Sequence, residues 1–483
     1  MTHPHSDSPS VPPSAPRRVL GSVASFTLVS GSMLGIGIFI YPPEVAKLLG
    51  SAGPFLLVWA MGGLAALAGA VAYAELGAMF PRAGGDYEFL REGFGPSVSF
   101  AAGWLIFGAA FTGSIATMAV AMSQYQIPTL VHALPGCAHL DFHSPLVVAP
   151  FGGSVNGVRL VAVAVVLGVT WLNAAGARVA AWVQSLTTLV PLALMTILGV
   201  WALATTHALP APDTTAALVA PRGWLPWLEA FVAAYMAVYF AYAGWNAVIY
   251  VAGEVRNPGK TIPRALLGGT LSVTALYLLL CGSFLHVFGT SGLARVGEAG
   301  SALAGTLGGP VARLIMTSLI AAAILSSINA TILGGARVAY AMANRKAFWS
   351  WAAQLDPRHG VPRRALLLQA GWTCAYILTG TFEDIYRLTS LAMVFAGTLT
   401  VLSVYLLRRA RPDHPRPYRT TGYPWLPALY VLSSVIVIAT MLGQAVAGTP
   451  GARYPVAGLG IMLLAYLGHR YARRKAPQAP AAR

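Results

Sequence analysis

The chain has 483 residues, 56% hydrophobic and only 10% charged, with a formal net charge of +16 and a mean hydropathy of +0.66. Soluble domains carry about 25% charged residues, so this composition excludes an ordinary soluble enzyme and leaves no soluble domain to carry a nucleic-acid-binding surface. Stretches without a single Asp, Glu, Lys or Arg, among them Ser97 to Leu140 and Ala265 to Ala294, point instead to an integral membrane protein.

Residues 1–18, rich in Pro, Ser and His, read as a disordered cytoplasmic tail whose order of regions does not fit a cleaved signal peptide. Cutting the rest at Gly/Pro clusters and charges predicts twelve spans, near 20–46, 53–80, 95–127, 158–174, 179–204, 227–253, 263–289, 309–343, 362–381, 386–408, 424–445 and 454–472. The first contains "GSMLGIGIF", with glycines at 31, 35 and 37. Each glycine weakens a helix by roughly 1 kcal/mol relative to alanine. In a bilayer, backbone freed by a break finds no water, so a break is tolerated where it lines a protein cavity. Gly31 and Gly35 also fit the small-xxx-small spacing of close helix packing. The sixth span carries "YFAYAGWNAV", with Ala243-Gly244 at mid-membrane between bulky aromatics. Interrupted spans at positions one and six predict an all-α membrane fold of two inverted five-helix repeats. The repeats would be 19–206 and 226–408, followed by accessory helices 11 and 12 in 409–475 and a tail over 476–483.

With the N-terminus inside, seven of the 31 Lys/Arg (Lys47, Arg159, Arg222, Arg295, Arg313, Arg387 and Arg453) fall in outer segments and all others in inner ones. That asymmetry places both termini in the cytoplasm of a cell or inner membrane and makes the positive charge topological, with no nucleic-acid partner needed. Three cysteines, Cys137, Cys281 and Cys374, with two of them inside spans, argue against a disulfide framework. Cys137 lies in the loop after span three, where it either tethers a partner subunit or stays a free thiol. The charge-free runs hold only His286 and the two span cysteines as metal-ligating groups, with no second ligand at helical spacing. No metal, no cofactor and no intramembrane catalytic centre is therefore expected.

Five stretches carry a family resemblance: "GSMLGIGIFIYPPE" (31–44), "YAELGAMFPRAGGDYEFLREGFGP" (73–96), "FAYAGWNAVIYVAGEVRNPGKTIPRAL" (240–266), "LGGARVAYAMA" (333–343) and "RPYRTTGYP" (416–424). In this order they resemble the amino acid–polyamine–organocation transporters, closest to the L-type amino acid transporter and arginine/agmatine antiporter branches. The resemblance implies the leucine-transporter-like fold with broken helices 1 and 6, and transport of amino acids or related amines by alternating access.

It further implies a substrate carboxylate on the N–H groups of Gly35, Ile36 and Gly37, and an α-ammonium near the carbonyls of Met33, Leu34, Phe240 and Ala243. Phe240 matches the family's aromatic gate, and Ala241 and Gly244 complete the second break. Asn246 stands where the polycation antiporters carry a glutamate, and Ala110 and Ser114 match their side-chain pocket. All three are neutral, which favours a neutral, zwitterionic L-amino acid, because a desolvated cationic side chain would lack a counter-charge. The charged stretches Glu75–Glu92 and Glu254–Arg264 read as paired loops closing the inner gate, or as plain solvated loops.

Coupling is read from span five, where Pro191 falls at the position of a lysine in many L-type relatives. Proline holds no proton, so a lysine-based relay is excluded there and exchange becomes the leading expectation. The rival is a sodium- or proton-coupled symporter, with Ser326 and Ser327 joining freed carbonyls in an oxygen-lined cation site. A sensor or channel on the same fold stays open, since fold does not dictate function.

Overall fold

The computed structural model describes residues 16–148, 154–205, 223–379, 382–449 and 453–475. Most of the predicted N-terminal tail, the tail 476–483 and Arg222 lie outside them. The first predicted span is two helices, α1 (Ser22–Met33) and α2 (Gly37–Leu49), and the second is α3 (Ala52–Met79). A short helix α4 (Asp86–Phe94) then leads to span three, formed by α5 (Pro96–Leu105), α6 (Thr112–Ala121) and α7 (Ile127–His132) joined through π-helical turns at Ile106–Phe111 and Met122–Gln126. Next come α8 (Gly157–Ala174), α9 (Ala177–Ala204), α10 (Trp224–Ala241) and the single turn α11 (Ala247–Tyr250). The chain ends with α12 (Pro258–Leu293), α13 (Ala299–Asn344), α14 (Arg363–Thr379), α15 (Phe382–Ala410), α16 (Trp425–Val446) and α17 (Arg453–Lys475).

Among the described residues ten helical stretches are long and apolar enough to cross a membrane, and α14 and α17 occupy the other two predicted positions. The predicted limits hold to within a few residues except at α12 and α13. Both run past their spans through kinks at Gly289 (φ 63°) and Gly309 (φ 70°), the positions at which the spans were expected to end and begin. A two-stranded antiparallel hairpin, β1 (Pro145–Val148) with β2 (Ser154–Asn156), was not anticipated in the loop after span three. Asn156 then caps α8, its side chain accepting the Arg159 N–H at 3.1 Å.

The helices are turned inside out relative to those of a soluble bundle. On α9, Trp182, Leu186, Leu189, Val190, Leu194 and Ile197 are exposed, while Gln184 and Thr188 are fully buried. An apolar exterior with polar groups gathered inside is what a lipid-facing helix requires, because polar groups find partners only within the protein.

The two broken spans lie side by side in opposite senses. At one end Leu20, just before α1, forms a parallel bridge with Val255, just after the sixth span: Leu20 N–H donates to Glu254 O and Arg256 N–H to Leu20 O, both at 2.9 Å. At the other end α2 packs along α10. The start of the first span thus meets the finish of the sixth, as an inverted repeat requires.

Candidate substrate site

The first break is confined to Leu34–Ile36. Leu34 leaves helical geometry (φ −70°, ψ 61°), and the Gly35 N–H turns back onto Met33 O at 2.7 Å. The donors at the start of α2 are then those of Ile36 and Gly37, orphaned as the first N–H groups of any helix are, and at the positive end of its dipole. In the sixth span α10 stops at Ala241, and Gly244 takes φ +97° before α11 begins. The breaks touch each other. A Cβ on Gly244 would fall 2.6 Å from the Ser32 carbonyl oxygen, and one on Gly37 would fall 2.9 Å from Ala241 Cα. Tyr277 of α12 fastens both, donating its hydroxyl to Met33 O (2.6 Å) and reaching Ala241 O at 3.4 Å. Burial of this tyrosine beside freed carbonyls satisfies backbone that lipid could not.

A cavity of about 250 Å³ opens between the breaks. Of the expected site residues, Met33, Gly35, Ile36, Gly37, Ala110, Ser114, Phe240, Ala241, Ala243, Gly244 and Asn246 line it, joined by Ser327. Leu34 does not; its side chain is fully buried in the core. Two further details differ from the expectation. The Met33 carbonyl already accepts from Tyr277 and Gly35, which fills both its lone pairs, and the Gly35 N–H is itself engaged. The carbonyls of Ala243 and of Phe240, which accepts one bond from the Ala243 N–H at 3.1 Å, and the N–H groups of Ile36 and Gly37 remain for a ligand. The π-helical turn of span three swings Ala110 and Phe111 into the wall, a frequent use of such irregularities.

A second lobe of about 170 Å³ shares Ala110, Ser114, Phe240, Ala243, Gly244, Asn246 and Met393 with the first. Sequence reasoning missed its floor. Asp86, assigned above to a gate loop or a solvated face, is only 3% exposed and lines this lobe. Its carboxylate accepts from Tyr73 (2.5 Å), from Tyr250 and, at 3.5 Å, from the amide of Asn246. Burial pushes this carboxyl above the usual range, and the hydrogen bonds from Tyr250 and Tyr73 act in the opposite direction. The signal in the sequence was the Gly84-Gly85 pair before it, both at positive φ and closely packed: a Cβ on either would fall 2.5 Å from Ala341 or Tyr250.

The coupling residues lie behind the first break and not around one shared centre. Pro191 is buried in α9, but the α9 side chains that reach α1 and α13 stand one and two turns earlier. Thr188 and Gln184 both touch Thr27 O (3.3 and 3.1 Å) and Ser326 Oγ (2.6 and 2.7 Å). Asn329 extends the chain from Gln184 Oε1 (2.7 Å) to Asn173 (2.7 Å). Every member is neutral. Ser327 points the other way, donating to Ser32 O at 3.0 Å. A Cβ on Gly31 would run into Ser326, Thr188 and Gln184, so this glycine serves close packing.

The end of the bundle bearing Leu20 is closed by ion pairs, although not between the two loops named above. Glu254 pairs with Arg337 of α13 at 2.8 Å, both side chains nearly unexposed. Glu75 takes Arg408 (2.6 Å) and Arg416 (3.2 Å), and Glu88 takes Arg345 (3.1 Å). The partners come from α13 and the residue that caps it, and from the last turn of α15 and the segment after it, elements whose sequence separation hid them.

Two discontinuous helices crossing at one cavity inside a bundle of membrane-length helices define a secondary transporter of the inverted-repeat class. The sequence model for amino acid permeases matches residues 20–465, and the chain belongs to that family. It is 28% identical over 436 residues to the serine/threonine exchanger SteT of Bacillus subtilis, covering 88% of this chain and 91% of the relative. To the b(0,+)-type amino acid transporter 1 of Mus musculus it is 26% identical over 428 residues, covering 87% and 82%. To the large neutral amino acids transporter small subunit 2 of Homo sapiens it is 28% identical over 440 residues, covering 86% and 74%. The protein is a multi-pass membrane permease for amino acids and not an enzyme.

Proposed function

We propose that this permease exchanges neutral L-amino acids across the cell membrane by alternating access, with both termini in the cytoplasm. The observation that carries the reading is the meeting of the two breaks at one cavity, with N–H donors of Ile36 and Gly37 on one side and carbonyls of Phe240 and Ala243 on the other. Opposed helix ends of this kind suit the carboxylate and ammonium of one zwitterion. Ala110, Ser114 and Asn246 would face its side chain, and Phe240 would close over it. Residues 19–206 and 226–408 would be the two moving repeats, with 409–475 accessory to them.

Exchange without ion coupling is supported by the polar network behind the break. A proton relay needs a titratable group, and Gln184, Thr188, Ser326 and Asn329 supply none. A sodium site needs converging oxygens, whereas the Gln184 amide points an N–H donor at Ser326 Oγ and at Thr27 O. Proteoliposomes preloaded with unlabelled leucine or serine are expected to take up labelled amino acid at least about tenfold faster than empty ones, with no change on imposing a sodium or pH gradient. Uptake into empty vesicles driven by either gradient would replace exchange with symport.

A further inference from the structure

A cleft of about 560 Å³ lies between α5, α15 and α17, apart from the substrate cavity. Its walls are Val98 and Ala101 of α5, Phe395 and Leu399 of α15, and Leu459 and Leu463 of α17. Among the described residues that line it, only Tyr466 carries a polar side-chain group. A zwitterionic amino acid would lose its hydration there without gaining partners, so the cleft is no second substrate site. α17 borders it from Val456 to Tyr466, about 15 Å at the helical rise per residue. That is half of the roughly 30 Å hydrocarbon core of a bilayer, the depth of one leaflet. The space is open: a Cβ built on Gly460, which lines it, meets nothing within 4 Å.

One mouth of the cleft is cationic. Tyr466 ends it, and its hydroxyl accepts from Arg470 Nη1 at 3.0 Å, which holds the guanidinium over the opening. Phe94 lines the same end, and Arg91 stands one turn before it on α4. None of the ion pairs among the described residues includes Arg91 or Arg470, and the nearby Glu92 is taken by Arg82 and Arg411. Arg473, Arg474 and Lys475 follow in the sequence. His469 fixes α17 here, its ring stacked on Phe100 at 4.4 Å and its Nδ1 3.1 Å from Ser97 Oγ. This is the end of the bundle that bears Leu20, cytoplasmic in the orientation proposed above. An apolar slot one leaflet deep, with basic residues at its mouth, fits an amphiphile with a negative headgroup. We propose that the cleft binds an acyl chain of a phospholipid from that leaflet, with the anionic headgroup on Arg470. Phe395 stands two residues after Met393, which lines both lobes of the substrate cavity, and therefore on the opposite side of α15. The bound chain thus backs the helix that forms one wall of the substrate cavity.

The test offers the purified full-length protein, in neutral detergent, an equimolar mixture of phosphatidylglycerol and phosphatidylcholine with the same acyl chains. Native mass spectrometry then reads which lipid stays bound. Phosphatidylglycerol is expected to be retained roughly tenfold more than phosphatidylcholine, at one molecule per protein. Arg470→Gln should cut that preference to about threefold or less. Gly460→Phe, whose ring fills the open space, should lower retention of both lipids by about tenfold. If Gly460→Phe does not purify as folded protein, Leu463→Trp takes its place under the same criterion. Equal retention of the two lipids by the unsubstituted protein would overturn the proposal. So would a preference that survives Arg470→Gln, or undiminished lipid with the cleft filled. A dimer that Gly460→Phe converts to a monomer would also overturn it, by making the cleft an interface between copies of the chain.

Discussion

Replacing Arg337 with alanine is expected to destabilise the protein by about 3–5 kcal/mol, because it leaves Glu254 buried without its counter-charge. The Arg337 guanidinium meets Glu254 through two nitrogens, Nε at 2.8 Å and Nη2 at 3.2 Å, and ties down Leu333 O at 3.1 Å. Glu254 sits in the turn that carries the Leu20–Val255 bridge, so the same loss loosens the closure of that end of the bundle. Thermal unfolding of the purified protein in detergent reads the stability, and amino acid exchange reads the closure. A double variant, Glu254→Leu with Arg337→Met, should recover most of the stability, since an apolar pair removes both buried charges together. A single variant as stable as the unsubstituted protein would mean that the pair contributes little to stability.

Substituting Gly244 with alanine is expected to cut exchange by about 100-fold or more, and Gly35→Ala to cut it far less. The two glycines fail differently. At Gly244 a side chain would have to adopt φ +97°, and its Cβ would lie 2.6 Å from Ser32 O and 2.9 Å from Ser32 C, which are backbone atoms of the facing break and cannot swing away. At Gly35 the nearest atoms to an added Cβ are Ser327 Oγ at 3.9 Å and Met33 O at 4.0 Å, ordinary contacts. A methyl there projects into the cavity and should raise the half-saturating substrate concentration by roughly 10-fold while leaving unfolding temperature nearly unchanged. Equal losses from both substitutions would mean that the breaks do not need to touch for transport.

These glycines show how far the sequence could be read. The break at 31–37 was legible because helix-weakening residues inside an apolar run have few uses, but its three glycines could not be told apart. Gly31 packs against Ser326 and Thr188, Gly35 borders the cavity, and Gly37 meets Ala241; each role depends on which neighbour approaches, a property of the packed bundle. The spans themselves were legible from charge-free runs, and the kinks at Gly289 and Gly309 fell where the apolar pattern ended.

Asp86 was illegible for a related reason. Its neighbours Glu88, Arg91 and Glu92 give the stretch the look of a solvated face, and only the packing of α4 against α5 and α15, with Tyr73 of α3 and Tyr250 of α11 reaching the carboxylate, buries Asp86 while Glu88 and Glu92 find arginines. At α9 the position taken from the resemblance, Pro191, was close in sequence, yet the side chains that reach Thr27 of α1 and Ser326 of α13 are Thr188 and Gln184. Helical side chains lean toward the N-terminus of their own helix, so sequence register does not fix which residue covers a given spot.

The central claim is that the amino acid binds in the cavity between the two breaks, and Ser114 offers the most direct test because its side chain lines that cavity away from the backbone donors. In a background with Cys137, Cys281 and Cys374 replaced by serine or alanine, Ser114→Cys should react with a small polar thiol reagent. Saturating leucine or serine should slow that reaction by roughly tenfold, since a ligand in the cavity excludes the reagent. An unchanged reaction rate, at an amino acid concentration that saturates exchange by the same variant, would place the substrate elsewhere and contradict the account.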